Sequence, residues 1–195
     1  MTAPILRPAR SGPLLATARR VLPLAASLLV SSRVVAQSEA PLPDSAPRFP
    51  SVTGRSLTGR TFRLPGDLQG ERNVVLVAFK RHQQTDVDTW TPHLRPLALG
   101  DPALRVYELP TLGRSYRLMR PIIDGGMRGG IPDSAVRAAT ITLYINKAPF
   151  RNALAIPDED HIQVLLVDRT GRILWRAAGP WTSAAEAELE SRLKR

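Results

Sequence analysis

Leu165-Leu166-Val167-Asp168-Arg169-Thr170-Gly171-Arg172-Ile173-Leu174-Trp175 reads as two apolar runs around a four-residue polar turn. Gly171 is placed to take a positive φ, which only glycine adopts without steric cost, so the stretch predicts two antiparallel strands, Ile162 to Val167 and Arg172 to Arg176. Downstream, Ser183 to Leu193 is rich in alanine and glutamate. It predicts a closing helix, capped by Thr182 or Ser183 and ending among Arg192, Lys194 and Arg195, where cations suit the negative end of the helix dipole.

Working upstream, Val74 to Phe79 is a continuous apolar run, the pattern of a central strand buried on both faces. Thr85-Asp86-Val87-Asp88 supplies a helix start in which Thr85 and Asp88 cap each other's amides, and Trp90, Leu94 and Leu97 follow at near-helical spacing. Arg105 to Leu109 and Thr140 to Ile145 are further strand candidates, with a helix expected from Ser115 to Ile123, ended by Gly125-Gly126. Pro132-Asp133-Ser134 opens a short helical turn, and Leu57 to Leu64 alternates around Gly59 as a hairpin would. The expected class is α/β, a mixed central β-sheet flanked by helices.

The chain has 195 residues, 43% of them hydrophobic, enough for one packed domain with flanking segments. Its net charge of +10 is unevenly spread. Arg7, Arg10, Arg19, Arg20 and Arg33 precede residue 37, whereas every acidic residue follows it. Without residues 1–36 there remain 22 basic against 17 acidic side chains, a net of +5. That balance, with no basic residues interleaved among the tryptophans, argues against nucleic acid as a partner.

Residues 1–36 read as a signal peptide: acid-free, arginine-bearing, with an apolar run Val21 to Val30 and Val34-Val35-Ala36 before Gln37. Cleavage is expected after Ala36. The uncharged stretch Val21 to Ser32 is shorter than the roughly 20 apolar residues of a membrane span and contains Pro23. The competing reading is a mitochondrial transit peptide, which is also arginine-rich and acid-free. Residues 37–48, with Pro41, Pro43 and Pro47, read as a proline-rich linker. The folded domain is expected over residues 49–195.

The hairpin Leu165 to Trp175, followed by Gly179 and a helix, resembles the last hairpin and helix of thioredoxin-like and peroxiredoxin-like domains. In that superfamily the reactive cysteines follow the first central strand; here Lys80-Arg81-His82-Gln83-Gln84-Thr85-Asp86 stands in that place, and the whole chain contains no cysteine. The superfamily's cis-proline before the penultimate strand has no counterpart, since His161 precedes Ile162. Ala78-Phe79-Lys80-Arg81, Asp86-Val87-Asp88-Thr89-Trp90 and Ile173 to Gly179 further resemble the mitochondrial ATP-synthase assembly factor family and its bacterial relatives, over residues 49 to 193. That resemblance implies a scaffold that assists assembly of a membrane complex without catalysis.

Without cysteine, thiol-disulfide exchange and cysteine peroxidase chemistry are excluded. His82, His93, Asp86 and Asp88 are the nearest approach to a metal cluster, but their spacing matches no ligand pattern, and the aspartates equally complement a helix start. No Gly-x-Ser-x-Gly turn supports a hydrolase, and Asp124-Gly125-Gly126-Met127-Arg128-Gly129-Gly130-Ile131 lacks the lysine and Ser/Thr of a phosphate loop. No cofactor is implied. The glycine-rich stretch reads either as a binding loop or as a connection in which Asp124 and Arg128 pair internally. The expected partner surface comprises Lys80, Arg81, Gln84, Asp86 and Asp88 with Asp124, Met127 and Arg128, and the expected partner is a protein. A thiol-independent enzyme or a metal-binding protein on the same scaffold remains the alternative.

Overall fold

The computed structural model describes residues 47–195. Residues 1–36, read from sequence as a signal peptide, and nearly all of residues 37–48, read as a linker, lie outside the described residues. Helices and strands follow in the order β1 Val52–Ser56, β2 Thr61–Leu64, β3 Arg72–Ala78, a 3-10 turn Arg81–Gln83, α1 Gln84–Gly100, β4 Leu104–Gly113, a 3-10 helix Arg114–Met119, α2 Arg120–Gly130, α3 Ser134–Ala139, β5 Ile141–Ile145, α4 Lys147–Ala153, β6 Gln163–Asp168, β7 Ile173–Ala178 and α5 Ser183–Leu193.

Seven strands form one mixed sheet in the order β2-β1-β5-β4-β3-β6-β7. β3 lies inside it, parallel to β4 from Arg72↔Leu104 to Ala78↔Pro110 and antiparallel to β6. Its continuous apolar run follows from covering on both faces. Val75 and Val77 join a core with Phe62, Tyr107, Leu143, Phe150, Leu165 and Val167. Val74 and Leu76 join the other, with Val87, Trp90 and Leu94 of α1, Leu166, Trp175 and Leu189 of α5. Each fully buried aliphatic or aromatic side chain contributes about 1.5–3 kcal/mol relative to exposure. Trp90 and Trp175 meet edge to face at 6.3 Å, and the Trp90 indole donates to the Gly179 carbonyl at 3.1 Å. The tryptophans pack the core.

The β6–β7 pair is antiparallel, and Gly171 has φ +86° in the turn between them. Thr182 caps α5 by accepting from the Ala185 amide, and Asp133 caps α3. Four expectations are corrected. The first hairpin starts earlier than Leu57: β1 ends at Ser56, and the Leu57 amide donates instead to the Arg137 and Thr140 carbonyls. Thr85 is not a cap but lies inside α1. The helix expected to stop at Gly125-Gly126 instead runs to Gly130, its preceding segment Ser115 to Met119 being 3-10. Finally, α4 has no precursor in the sequence reading; Asn146 caps it, and its Phe150 packs edge-on against Phe49 at 5.8 Å.

The persistence of α2 through four glycines has a tertiary cause. Glycine costs about 1 kcal/mol against alanine in a helix interior, and contacts to distant strands offset this. The Asp124 carboxylate accepts from the Tyr144 hydroxyl at 2.8 Å and the Thr142 hydroxyl at 3.3 Å, tying α2 to β5. Four residues on, Arg128 Nε donates to the Leu57 carbonyl at 2.9 Å. Among the described residues no helix is long and apolar enough to cross a membrane.

Candidate functional site

β3 ends at Ala78, while β4 continues beyond Pro110 to pair with β5 through Thr111↔Leu143 and Gly113↔Ile145. The early end of β3 leaves an open space between its C-terminus, the first turns of α1 and the face of α2. A groove of about 790 Å³ fills it. Phe79, Lys80, Arg81, Gln84 and Asp88 form one wall, Glu108 and Pro110 to Leu112 the floor, and Ile122, Ile123, Gly126, Met127 and Ile131 the opposite wall, with Tyr116 at one end.

The β3–α1 turn is closed by a glutamine. Gln83 is 1% exposed. Its Oε1 accepts from the amides of Phe79 at 2.8 Å and Lys80 at 3.1 Å, and its Nε2 donates to the Glu159 carbonyl at 2.7 Å. These bonds replace the hydroxyl cap expected from Thr85 and fasten the turn to the acidic loop before β6. Glu159 in that loop pairs with Lys147 at 2.5 Å and with Arg151 at 3.4 Å.

Of the residues expected at the partner surface, Lys80, Arg81, Gln84, Asp88 and Met127 line the groove. Lys80 is engaged: its ammonium lies 2.8 Å from Asp160, a hydrogen bond that holds the lysine pKa above and the aspartate pKa below their ordinary values. Both side chains are exposed, so solvent screens the pair. Gln84 donates to Asp88 at 3.0 Å. Arg81 is exposed, and its side chain makes no hydrogen bond or ion pair among the described residues. Asp86, by contrast, lies on α1 outside the lining.

Asp124 and Arg128 do not pair with each other. Asp124 is 6% exposed, bound to Tyr144 and Thr142, with Arg120 Nε at 3.7 Å and the Arg120 guanidinium 5.0 Å from the Tyr144 ring centre. Burial and then the bond to Asp124 push the Tyr144 hydroxyl's pKa well up. Arg128 holds the first hairpin. Both residues therefore position α2, which presents Met127 to the groove.

Glu108 is the residue that the strand reading passed over. It lies on β4 opposite Leu76 and lines the groove, and its side chain makes no hydrogen bond or ion pair among the described residues. Burial raises its carboxyl pKa, and the nearby Asp88 charge adds to the shift. A lone acid inside the run Arg105 to Leu109 was the available signal. Tyr116 and Ile122 were less legible, since their exposure depends on the 3-10 geometry before α2.

The metal reading finds no support in the geometry. His93 stacks on Trp181 at 3.9 Å and hydrogen-bonds Glu186 at 3.1 Å. No group of three or more His, Cys, Asp or Glu among the described residues is arranged to hold a metal ion. His161 precedes β6 as expected, and the cis peptide Leu64–Pro65 follows β2.

No protein-family model matches the sequence, and no curated protein matches it. Solved structures do match in fold. BsSco, a member of the Sco family of cytochrome c oxidase assembly proteins, aligns with a TM-score of 0.55 at 13% identity, over 77% of this chain and 94% of its own. A protein of Aquifex aeolicus described as an electron transfer protein aligns at 0.54 and 12%, over 76% and 96%. The thioredoxin domain of a thiol-disulfide oxidoreductase from Bacteroides vulgatus aligns at 0.50 and 17%, over 77% and 99%. This chain therefore has a thioredoxin-like fold, and, having no cysteine, it is not a redox-active thiol protein.

Proposed function

We propose that the protein is a non-catalytic binding factor, acting in a chaperone-like way in the assembly of a membrane or exported protein complex, and that its groove receives an extended segment of the partner. The observation that carries this reading is the groove itself. It lies at the β3–α1 turn where relatives of this fold carry their cysteines, it is lined by Phe79, Leu112, Ile122, Ile123 and Met127, and its charged side chains are Lys80, Arg81, Asp88 and Glu108, joined by the polar Gln84, Thr111, Tyr116 and Thr140. Apolar clefts with a few convergent polar groups are the usual form of a binding site. The resemblance of the chain to the ATP-synthase assembly factor family supports the role. So does a solved structure of the same fold that is described as belonging to a family of cytochrome c oxidase assembly proteins.

Export is part of the proposal. Residues 1–36 would direct it, and mass spectrometry of the mature N-terminus tests it, with cleavage after Ala36 expected. The groove is tested by crosslinking and partner recovery from the native host, comparing wild type with Arg81→Glu and Met127→Glu after circular dichroism shows both folded. Loss of the same partner in both variants is expected. Recovery unchanged in both would overturn the reading, and reproducible turnover of a substrate by the pure protein would replace it with an enzymatic one.

A further inference from the structure

The described residues carry five exposed large hydrophobic side chains, and four of them fall within seven residues: Tyr116 at 54%, Leu118 at 92%, Met119 at 47% and Ile122 at 69% exposure. They belong to the 3-10 helix Arg114–Met119 and the first turn of α2. So many exposed apolar side chains in one short segment mark an interaction surface. Tyr116 and Ile122 turn in part toward the groove, whereas Leu118 and Met119 do not line it.

The charges of this segment select the partner. Arg114 and Arg117 are exposed, and their side chains make no hydrogen bond or ion pair among the described residues. No acidic residue occurs from Leu109 to Ile123. The next acid, Asp124, is buried and engaged with Tyr144, Thr142 and Arg120. The segment thus presents bulky apolar side chains interleaved with unpaired guanidinium groups and carries no carboxylate of its own; Asp88 and Glu108 lie in the groove beside Tyr116 and Ile122, not beside Leu118 and Met119.

We infer that Arg114 to Ile122 is a membrane-docking segment, which inserts Leu118, Met119 and Ile122 into the headgroup and upper acyl region of an anionic bilayer while Arg114 and Arg117 bind lipid phosphates. Arginine suits this task, since its aliphatic stem lies along apolar surface while the guanidinium reaches phosphate. A short apolar insertion is a weak anchor alone, and basic residues supply the second attraction that makes binding measurable. The inference stands whether or not the groove holds a peptide, because it rests on different side chains.

The absence of cysteine makes the test direct. Leu118→Cys carries a single environment-sensitive fluorophore, and Thr170→Cys, in the exposed β6–β7 turn, carries the control. The full chain is mixed with phosphatidylglycerol/phosphatidylcholine vesicles and with pure phosphatidylcholine vesicles. The label at 118 is expected to shift to the blue and to be quenched by lipid-borne nitroxides on the anionic vesicles only, and the label at 170 to do neither. Arg114→Glu with Arg117→Glu should weaken this insertion by about tenfold or more, and added salt should weaken it too. A label at 118 that stays in water while the chain sediments with the vesicles overturns the inference. So does a label that becomes protected only when a protein partner is added, which would make the patch a protein interface.

Discussion

Replacement of Gln83 by alanine tests whether a single side chain holds the turn at the head of the groove. The substitution removes the acceptor of two amides and the donor to the Glu159 carbonyl. The Lys80 amide belongs to an exposed residue and regains water, but Phe79 is buried at 7% exposure, so its amide stays unpaired. An unsatisfied buried donor costs about 1–3 kcal/mol, and the lost bond to Glu159 adds about 0.5–1.5 kcal/mol. The expected destabilisation is about 2–4 kcal/mol by denaturant unfolding, with Tm lower by roughly 5–12 °C for a domain of this size. Amide exchange at Phe79 should accelerate before that of the β3 interior, since the turn opens locally. Gln83→Glu keeps both accepted bonds but sets a carboxylate against the Glu159 carbonyl. It should be closer to wild type in acid, where the protonated side chain donates again. An alanine variant within about 0.5 kcal/mol of wild type, with unchanged Phe79 exchange, would refute the clamp.

Five further substitutions probe the groove and the fold that holds it. Asp124→Ala leaves the Tyr144 hydroxyl and Arg120 without their buried partner and should cost about 3–5 kcal/mol in urea unfolding, with Tyr144→Phe coupled to it in a double-mutant cycle. Gly126→Ala meets no atom within 4 Å and should stabilise α2 by about 0.5–1 kcal/mol, whereas Gly70→Ala drives its Cβ into the Arg72 and Ala103 carbonyls and should cost about 1–3 kcal/mol or more; thermal melts of both check the sign. Glu108 has its pKa raised by burial and by Asp88, so its effect on stability is most favourable below the ordinary carboxylate range and is lost as pH rises through the raised value. Glu108→Gln is therefore expected to match wild type in acid and to exceed it in stability at neutral pH, read from Tm against pH.

What the sequence by itself determined rests on local rules. Val74 to Val77 and Val164 to Val167 are apolar at every position because both sheet faces are covered. Gly171 announces a positive φ, and Thr182 and Asp133 announce helix starts, because each acts within a few residues of itself. The lack of cysteine excluded thiol chemistry from composition alone. Along the groove, Lys80, Arg81, Gln84, Asp88 and Met127 were placed from the position of the turn after β3 and from the glycine-rich segment. The tertiary structure decided the rest, through partners far apart in the chain. Gln83 became a clamp through Glu159, 76 residues away. The four glycines stayed helical because Asp124 met Tyr144 and Arg128 met Leu57, 71 residues away. Glu108 was left unpartnered in the groove, whereas Lys80 was paired with Asp160, 80 residues away. Helix and turn signals are short-range, while the state of a charge and the survival of a glycine-rich helix depend on desolvation and on contacts that exist only once the sheet has formed.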